Sequence, residues 1–257
     1  MERNTSAALP SADALSAALD RHQLVVWYQP IVEVESGRVA GAEALIRWPQ
    51  PDGSLLLPDS FLPQARRAGL LSRITHRVTA LAFADLGEWL HQHPAMRLSI
   101  NLEPEDFLNT VLLEHLNLRC RQYGVEPQQI ALEMTENSAI DPQAIAPIVG
   151  QYRAAGHPIY LDDFGSGYAN FSYLQALTFD VLKIDRALVE PLPDRSLLPQ
   201  IVALARSLSL EPLAEGVETR AQHHWLREHG VKYAQGWLYG KALPGRAFIE
   251  KSEKRYA

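Results

Sequence analysis

Cysteine is almost absent from this chain: Cys120 is the only one in 257 residues. An intrachain disulfide is therefore excluded, and a reducing, cytoplasmic compartment is expected. No apolar run reaches the about 20 residues that a membrane-spanning helix requires, so direct membrane insertion is not expected. The opening stretch carries Glu2, Asp13 and Asp20 and no continuous apolar segment, which predicts no secretory leader. Basic charge is also short, with 24 Lys and Arg against 30 Asp and Glu and a net charge of -6. That balance argues against a partner of polymeric nucleic acid, which selects a basic face, but leaves a small phosphorylated ligand open. Internal repeats, low-complexity tracts and Gly/Ser/Pro-rich linkers are lacking too. One domain over residues 12–257 is expected, after a flexible tail at 1–11.

What is present is a core: 47% of the residues are hydrophobic, too many for a disordered chain. Short β-like runs alternate with helical stretches. Strands are expected at 24–29, 39–46, 97–101, 130–134, 159–163, 181–185, 212–216 and 231–236. Helices are expected at 12–21, in two pieces after Pro58, and at 104–122, 142–155, 196–209 and 219–229, several ending at a glycine. The alternation predicts a barrel-like α/β fold. The first two strands are joined by a Glu-Ser-Gly turn at 35–37; a crossover helix has no room there, so this pair is expected to be antiparallel.

Polar residues recur at the ends of the apolar runs: Glu43 after VAGA, Asn101 after RLSI, Glu133 after QIAL, Asp162 and Asp163 after IYL, and Glu215 after PLA. In α/β barrels, residues at the carboxyl ends of strands converge on one face. Five carboxylates and an amide there form a hard-oxygen site suited to Mg2+ or Mn2+ and point to metal-assisted attack on phosphate. Without cations the carboxylates would repel and some would protonate; two divalent ions nearly neutralise them. Lys183 ends a strand beside them and is a candidate to hold a phosphoryl oxygen, with Asp185 as its partner or a ligand contact. The guanidinium of Arg47 suits a pair of phosphate oxygens. Gln29 and Gln235 are strand-end amides able to bond a ligand. Glu215 has two open roles, metal ligand or acceptor of a proton from the attacking water. Gly165 and Gly167 permit a tight, movable loop. The nine histidines show no metal-like spacing.

Eight ordered motifs carry a resemblance: YQPIV (28–32), EALIRW (43–48), SIN (99–101), LEMTEN (132–137), DDFGSGY (162–168), KID (183–185), AEGVET (214–219) and QGWLYGK (235–241). The chain resembles the EAL domain family of cyclic di-GMP phosphodiesterases. The resemblance implies a modified TIM-type barrel with one antiparallel strand and hydrolysis of cyclic di-GMP to linear pGpG, lowering a bacterial second-messenger signal. It implies one metal held by Glu43, Asn101, Glu133 and Asp162, and a second by Asp162, Asp163 and Glu215. It further implies glutamines at the site matching Gln29 and Gln235, a steadying role for Glu136 on the glycine loop, and a homodimer formed near that loop. The alternative is a catalytically weak cyclic di-GMP receptor acting through a protein partner; an upstream sensor or regulatory domain is left open. Two departures stand out. Arg66 and Arg67 occupy positions where the family usually carries an acidic pair, and GKALP (240–244) replaces a more usual Ser or Thr pattern.

Overall fold

Eight strands close on themselves in a computed structural model that describes residues 10–135, 140–166, 171–193 and 197–256. The strands are β1 (Val25–Glu33), β2 (Val39–Pro49), β3 (Leu55–Leu56), β4 (Arg97–Asn101), β5 (Ile130–Thr135), β6 (Ile159–Phe164), β7 (Val181–Ile184), β8 (Glu211–Ala214), β9 (Tyr233–Gln235) and β10 (Leu243–Pro244). The order around the barrel is β1-β2-β4-β5-β6-β7-β8-β9, with β1 closing the ring. β1 is antiparallel to both β2 and β9, and every other barrel pairing is parallel. This is a TIM-type barrel with one reversed strand. The short turn after Glu33 forces the reversal, because a parallel return needs a long crossover.

Helices wrap the outside, and local chemistry sets their ends. Thr219 accepts from the Gln222 amide at 3.2 Å and opens the helix Arg220–Glu228. Gly124, at φ 65°, closes the helix Thr110–Tyr123 in the left-handed conformation. Three elements differ from the sequence expectation. The helix expected over 104–122 is interrupted, because Asn109 accepts from the Val111 amide and starts a new helix. β2 runs on to Pro49, where Trp48 and Pro49 pair with β3, so Arg47 lies within the strand rather than just past its expected end at 46. A C-terminal helix, Gly245–Tyr256, follows the last strand. Half of its residues are charged, and its anchor is Phe248, whose ring lies 6.1 Å from Tyr28 and 5.5 Å from Trp89. Among the described residues no helix is long and apolar enough to cross a membrane.

The core has two parts. The larger lies between strands and helices. The smaller, inside the barrel, is Ile31, Ala131, Tyr160, Val181 and Leu213, with Tyr233 against it. Side chains alternate along a strand with period two. Two residues further up each of these strands stand Gln29, Glu133, Asp162, Lys183, Glu215 and Gln235 (β1 runs downward, so its number falls). The barrel interior is thus an apolar floor with a polar layer on top, and the floor supports the site.

Candidate active site

Lys183 stands at the centre of the polar layer and is 1% exposed. Its Nζ lies 2.6 Å from Glu133 Oε2, 2.8 Å from Asp162 Oδ1, 3.0 Å from Glu215 Oε1 and 3.7 Å from Glu43 Oε2. Asn101 Nδ2 donates to Glu43 Oε1 at 2.8 Å, and Gln235 Nε2 donates to Glu43 Oε2 at 2.7 Å. The same Gln235 nitrogen donates to Gln29 Oε1 at 3.1 Å, and Gln29 Nε2 donates to the Gly240 carbonyl at 3.4 Å. Gln29 and Gln235 therefore form a chain that orients Glu43.

Asp162 and Asp163 are adjacent, and a regular strand would point them to opposite faces. The pairing between β6 and β7 slips here: Leu161 opposes Leu182, while Phe164 opposes Ile184. Asp163 takes up the extra residue at φ 57°, an unfavourable conformation outside glycine. Its N–H donates to Asp162 Oδ1 at 2.9 Å. Both acids then line one cavity of about 310 Å³, together with Glu43, Asn101, Glu103 and Thr135. Gly165 completes the turn at φ 95°, where a Cβ would lie 2.3 Å from Leu188 Cδ1.

The electrostatics favour a cation. Five carboxylates face one ammonium. Burial and the charges of Glu43 and Asp162 push Glu133 well above the usual carboxylate range, against the pull of Lys183. Burial raises Glu215 to about 8, with Lys183 opposing and Asp162 adding, and burial with Asp162 raises Asp163 to about 6. Burial also works against Glu43, but Lys183 and the two amide donors hold it below its ordinary value. Burial disfavours the Lys183 charge, yet the surrounding carboxylates hold it firmly protonated. Glu133 Oε1 is buried without a hydrogen-bond partner, the kind of orphaned acceptor that a metal ion satisfies. Ligand atoms of Glu43, Glu133 and Asp162 lie within 4.8 Å of one another, as do those of Asp162, Asp163 and Glu215. The donor set fits two oxygen-ligated divalent ions sharing Asp162.

The remaining candidates fall at different distances from this centre. Arg47 lies on the Glu43 face of β2, nearer the mouth, is 7% exposed, and donates from Nη1 to the Ile46 carbonyl at 2.9 Å. Asp185 Oδ1 accepts from the Ala187 amide at 2.8 Å and caps the short helix Arg186–Val189; its visible bond is structural. Glu136 and Gly167 lie outside the described residues. Sequence reasoning missed Glu103 and the apolar wall of the cavity, Leu62, Leu71, Ile74 and Val78. An acid two residues beyond a strand-end asparagine was the available signal for Glu103. A second depression, of about 410 Å³, lies at the other end of the barrel. Its lining charges are spent on each other, Arg153 with Asp180 at 2.9 Å and Arg97 with Glu211 at 3.7 Å.

Fold and site together define a TIM-type barrel with a cluster of carboxylates at the carboxyl ends of its parallel strands. The EAL domain model matches residues 12–242, and the chain belongs to that family. It is 48% identical over 240 residues to the probable cyclic di-GMP phosphodiesterase PdeB of Escherichia coli, covering 93% of this chain and 46% of that protein. It is 36% identical over 255 residues to the bifunctional diguanylate cyclase/cyclic di-GMP phosphodiesterase MucR of Pseudomonas aeruginosa, covering 97% of this chain and 37% of that one. The chain thus spans less than half the length of these curated relatives. The solved PaMucR phosphodiesterase in complex with c-di-GMP superposes with a TM-score of 0.83 at 37% identity, over 91% of this chain and 97% of that chain.

Proposed function

We propose that residues 12–257 act as one domain that hydrolyses cyclic di-GMP to linear pGpG with two Mg2+ or Mn2+ ions. The observation that carries this is the pair of carboxylate triads sharing Asp162, with Lys183 among them. Glu43, Asn101, Glu133 and Asp162 would hold one ion, and Asp162, Asp163 and Glu215 the other. When bound, such a pair activates water as a nucleophile and stabilises the charge of an in-line displacement. Lys183 keeps the surplus negative charge of the cluster in check and offers its ammonium to a phosphoryl oxygen. Arg47, nearer the mouth, suits the non-reacting phosphate. Gln235 and Gln29 keep Glu43 oriented, and Asp185 and Gly165 keep the strand-end loops in place. Glu215 has two roles open to it there, ligand of the second ion or acceptor of the proton of the attacking water. Water adds to phosphorus, the P–O3′ bond breaks, and the released 3′ oxygen takes up a proton, which leaves a 5′-phosphate as in pGpG.

The names of PdeB and MucR and the c-di-GMP in the PaMucR structure support the choice of substrate. We further propose a cytoplasmic homodimer acting beneath a separate sensory segment, as the greater length of the relatives suggests. The test is chromatography of cyclic di-GMP incubated with the protein, with and without each metal. Metal-dependent pGpG is the expected outcome. Tight binding with no pGpG in either metal would make the chain a receptor instead.

A further inference from the structure

We propose that Arg66 sets the charge of the cavity rim and thereby the affinity for an anionic substrate, an inference that rests on the phosphodiesterase function proposed above. Arg66 Nη2 donates to Glu103 Oε2 at 2.5 Å. Glu103 is on the wall of the cavity that also holds Glu43, Asn101, Asp162 and Asp163, and its side chain is only 24% exposed. Its own backbone N–H donates to Asp106 Oδ2 at 3.2 Å, which anchors the residue at the start of the helix Pro104–Phe107 and keeps it on the wall.

The charge balance makes this pair matter. Lys183 and two divalent ions, once bound, would together offset the five carboxylates of the cluster. Glu103 is then one further negative charge facing a ligand whose two phosphodiesters are anionic. Asp59, the other acid on the wall outside the cluster, is exposed, so solvent screens it. Arg66 cancels Glu103 where it stands. Arg67 does not share the task, since it bonds Gln64 Oε1 at 2.6 Å. The purely structural alternative is a pin between the helix Leu62–Arg67 and the loop after β4, and half-exposed pairs of that kind contribute little to stability.

A double-mutant cycle separates the two. Steady-state kinetics with cyclic di-GMP and a thermal midpoint are measured for the wild type, Arg66→Ala, Arg66→Lys, Glu103→Gln and the Arg66→Ala/Glu103→Gln pair. If Arg66 acts by charge, Arg66→Ala raises KM by about 3- to 10-fold with kcat unchanged. That increase shrinks as ionic strength rises toward about 1 M. Arg66→Lys keeps KM near the wild type, Glu103→Gln leaves it equal or lower, and the double variant returns to the wild-type value. Equal KM increases in Arg66→Ala and Glu103→Gln, an increase insensitive to salt, or no increase in Arg66→Ala overturns the proposal while leaving the phosphodiesterase function standing. Absence of pGpG from the wild type overturns both.

Discussion

Lys183 on β7 and Glu133 on β5 stand 2.6 Å apart in the barrel interior, with β6 between their strands, at 1% and 0% side-chain exposure. Neither group has solvent to retreat to, and the ammonium depends on the carboxylates around it. Lys183→Met removes the one cation from among four carboxylates. Stripping a buried charge of its partner costs about 3–5 kcal/mol, so the metal-free variant should melt well below the wild type in chelator. Saturating Mn2+ should recover most of the difference, because it restores positive charge. Equal melting of the two proteins in chelator would mean that the ammonium does not stabilise the cluster.

The raised acids predict how metal binding depends on pH. Glu133 lies well above its ordinary value, Glu215 near 8 and Asp163 near 6. Without metal, Glu215 keeps its proton at neutral pH and Glu133 gives up its own less readily than a free carboxyl does, and those protons must leave when an ion binds. Apparent affinity should therefore rise from pH 6 to about 8. Calorimetry in buffers of differing ionisation enthalpy should detect net proton release, and uptake or no exchange would refute the assignment.

The same shifts set a stability trend of opposite sign. The folded acids titrate higher than in the unfolded chain, so their contribution is fully present at low pH and is lost as pH rises through the folded values. The metal-free protein should lose thermal stability between about pH 5 and 8. Excess Mg2+ should flatten the trend, since a bound ion favours the ionised carboxylates. A midpoint in chelator that climbs across this window would contradict the raised values.

Glu43 and Gln235 differ in rank at the site. Glu43→Ala deletes a proposed ligand and should abolish turnover. Gln235→Ala keeps the ligand but frees Glu43 Oε2 from its 2.7 Å donor. Loss of an outer contact of this kind costs about 10- to 100-fold in metal affinity. Titrating activity with Mn2+ should show a right-shifted curve that reaches a wild-type plateau, whereas an unshifted curve would leave Gln235 without an orienting role.

Gly165→Ala tests the turn that gathers the two aspartates. A φ of 95° and a Cβ 2.3 Å from Leu188 leave alanine no relaxed position, at a cost of about 1–3 kcal/mol. Because the turn continues directly from Asp163, metal affinity should fall along with stability. A drop in melting temperature alone, with unchanged metal binding, would separate the turn from the site.

Much of this was readable from the chain. Lys183 follows Val181 by two positions, Glu133 follows Ala131, and Glu215 follows Leu213. Each stands at the end of an apolar run, and residues at the carboxyl ends of barrel strands converge on one face. The hairpin at 35–37 already required one reversed strand. Other features were not readable, because they depend on where a strand stops being regular. Nothing in IYLDDF says that the pairing slips between Leu161 and Phe164, and without the slip Asp163 would face away from Asp162. The continuation of β2 past Ile46 depends on pairing with two residues of β3, a contact with no local signature. The helix Gly245–Tyr256 owes its place to Phe248 packing against Tyr28 and Trp89, which are distant in sequence.

The sequence by itself determined the alternation of elements and the set of acids at the strand ends, because pattern and residue type are local properties. Tertiary structure alone decided that Lys183 is shared by four carboxylates, that Gln29 and Gln235 form a hydrogen-bonded chain to Glu43, and that Arg66 meets Glu103. Those relationships arise only when barrel closure brings together side chains from strands and loops far apart in the chain, at distances where charge and hydrogen bonding take effect.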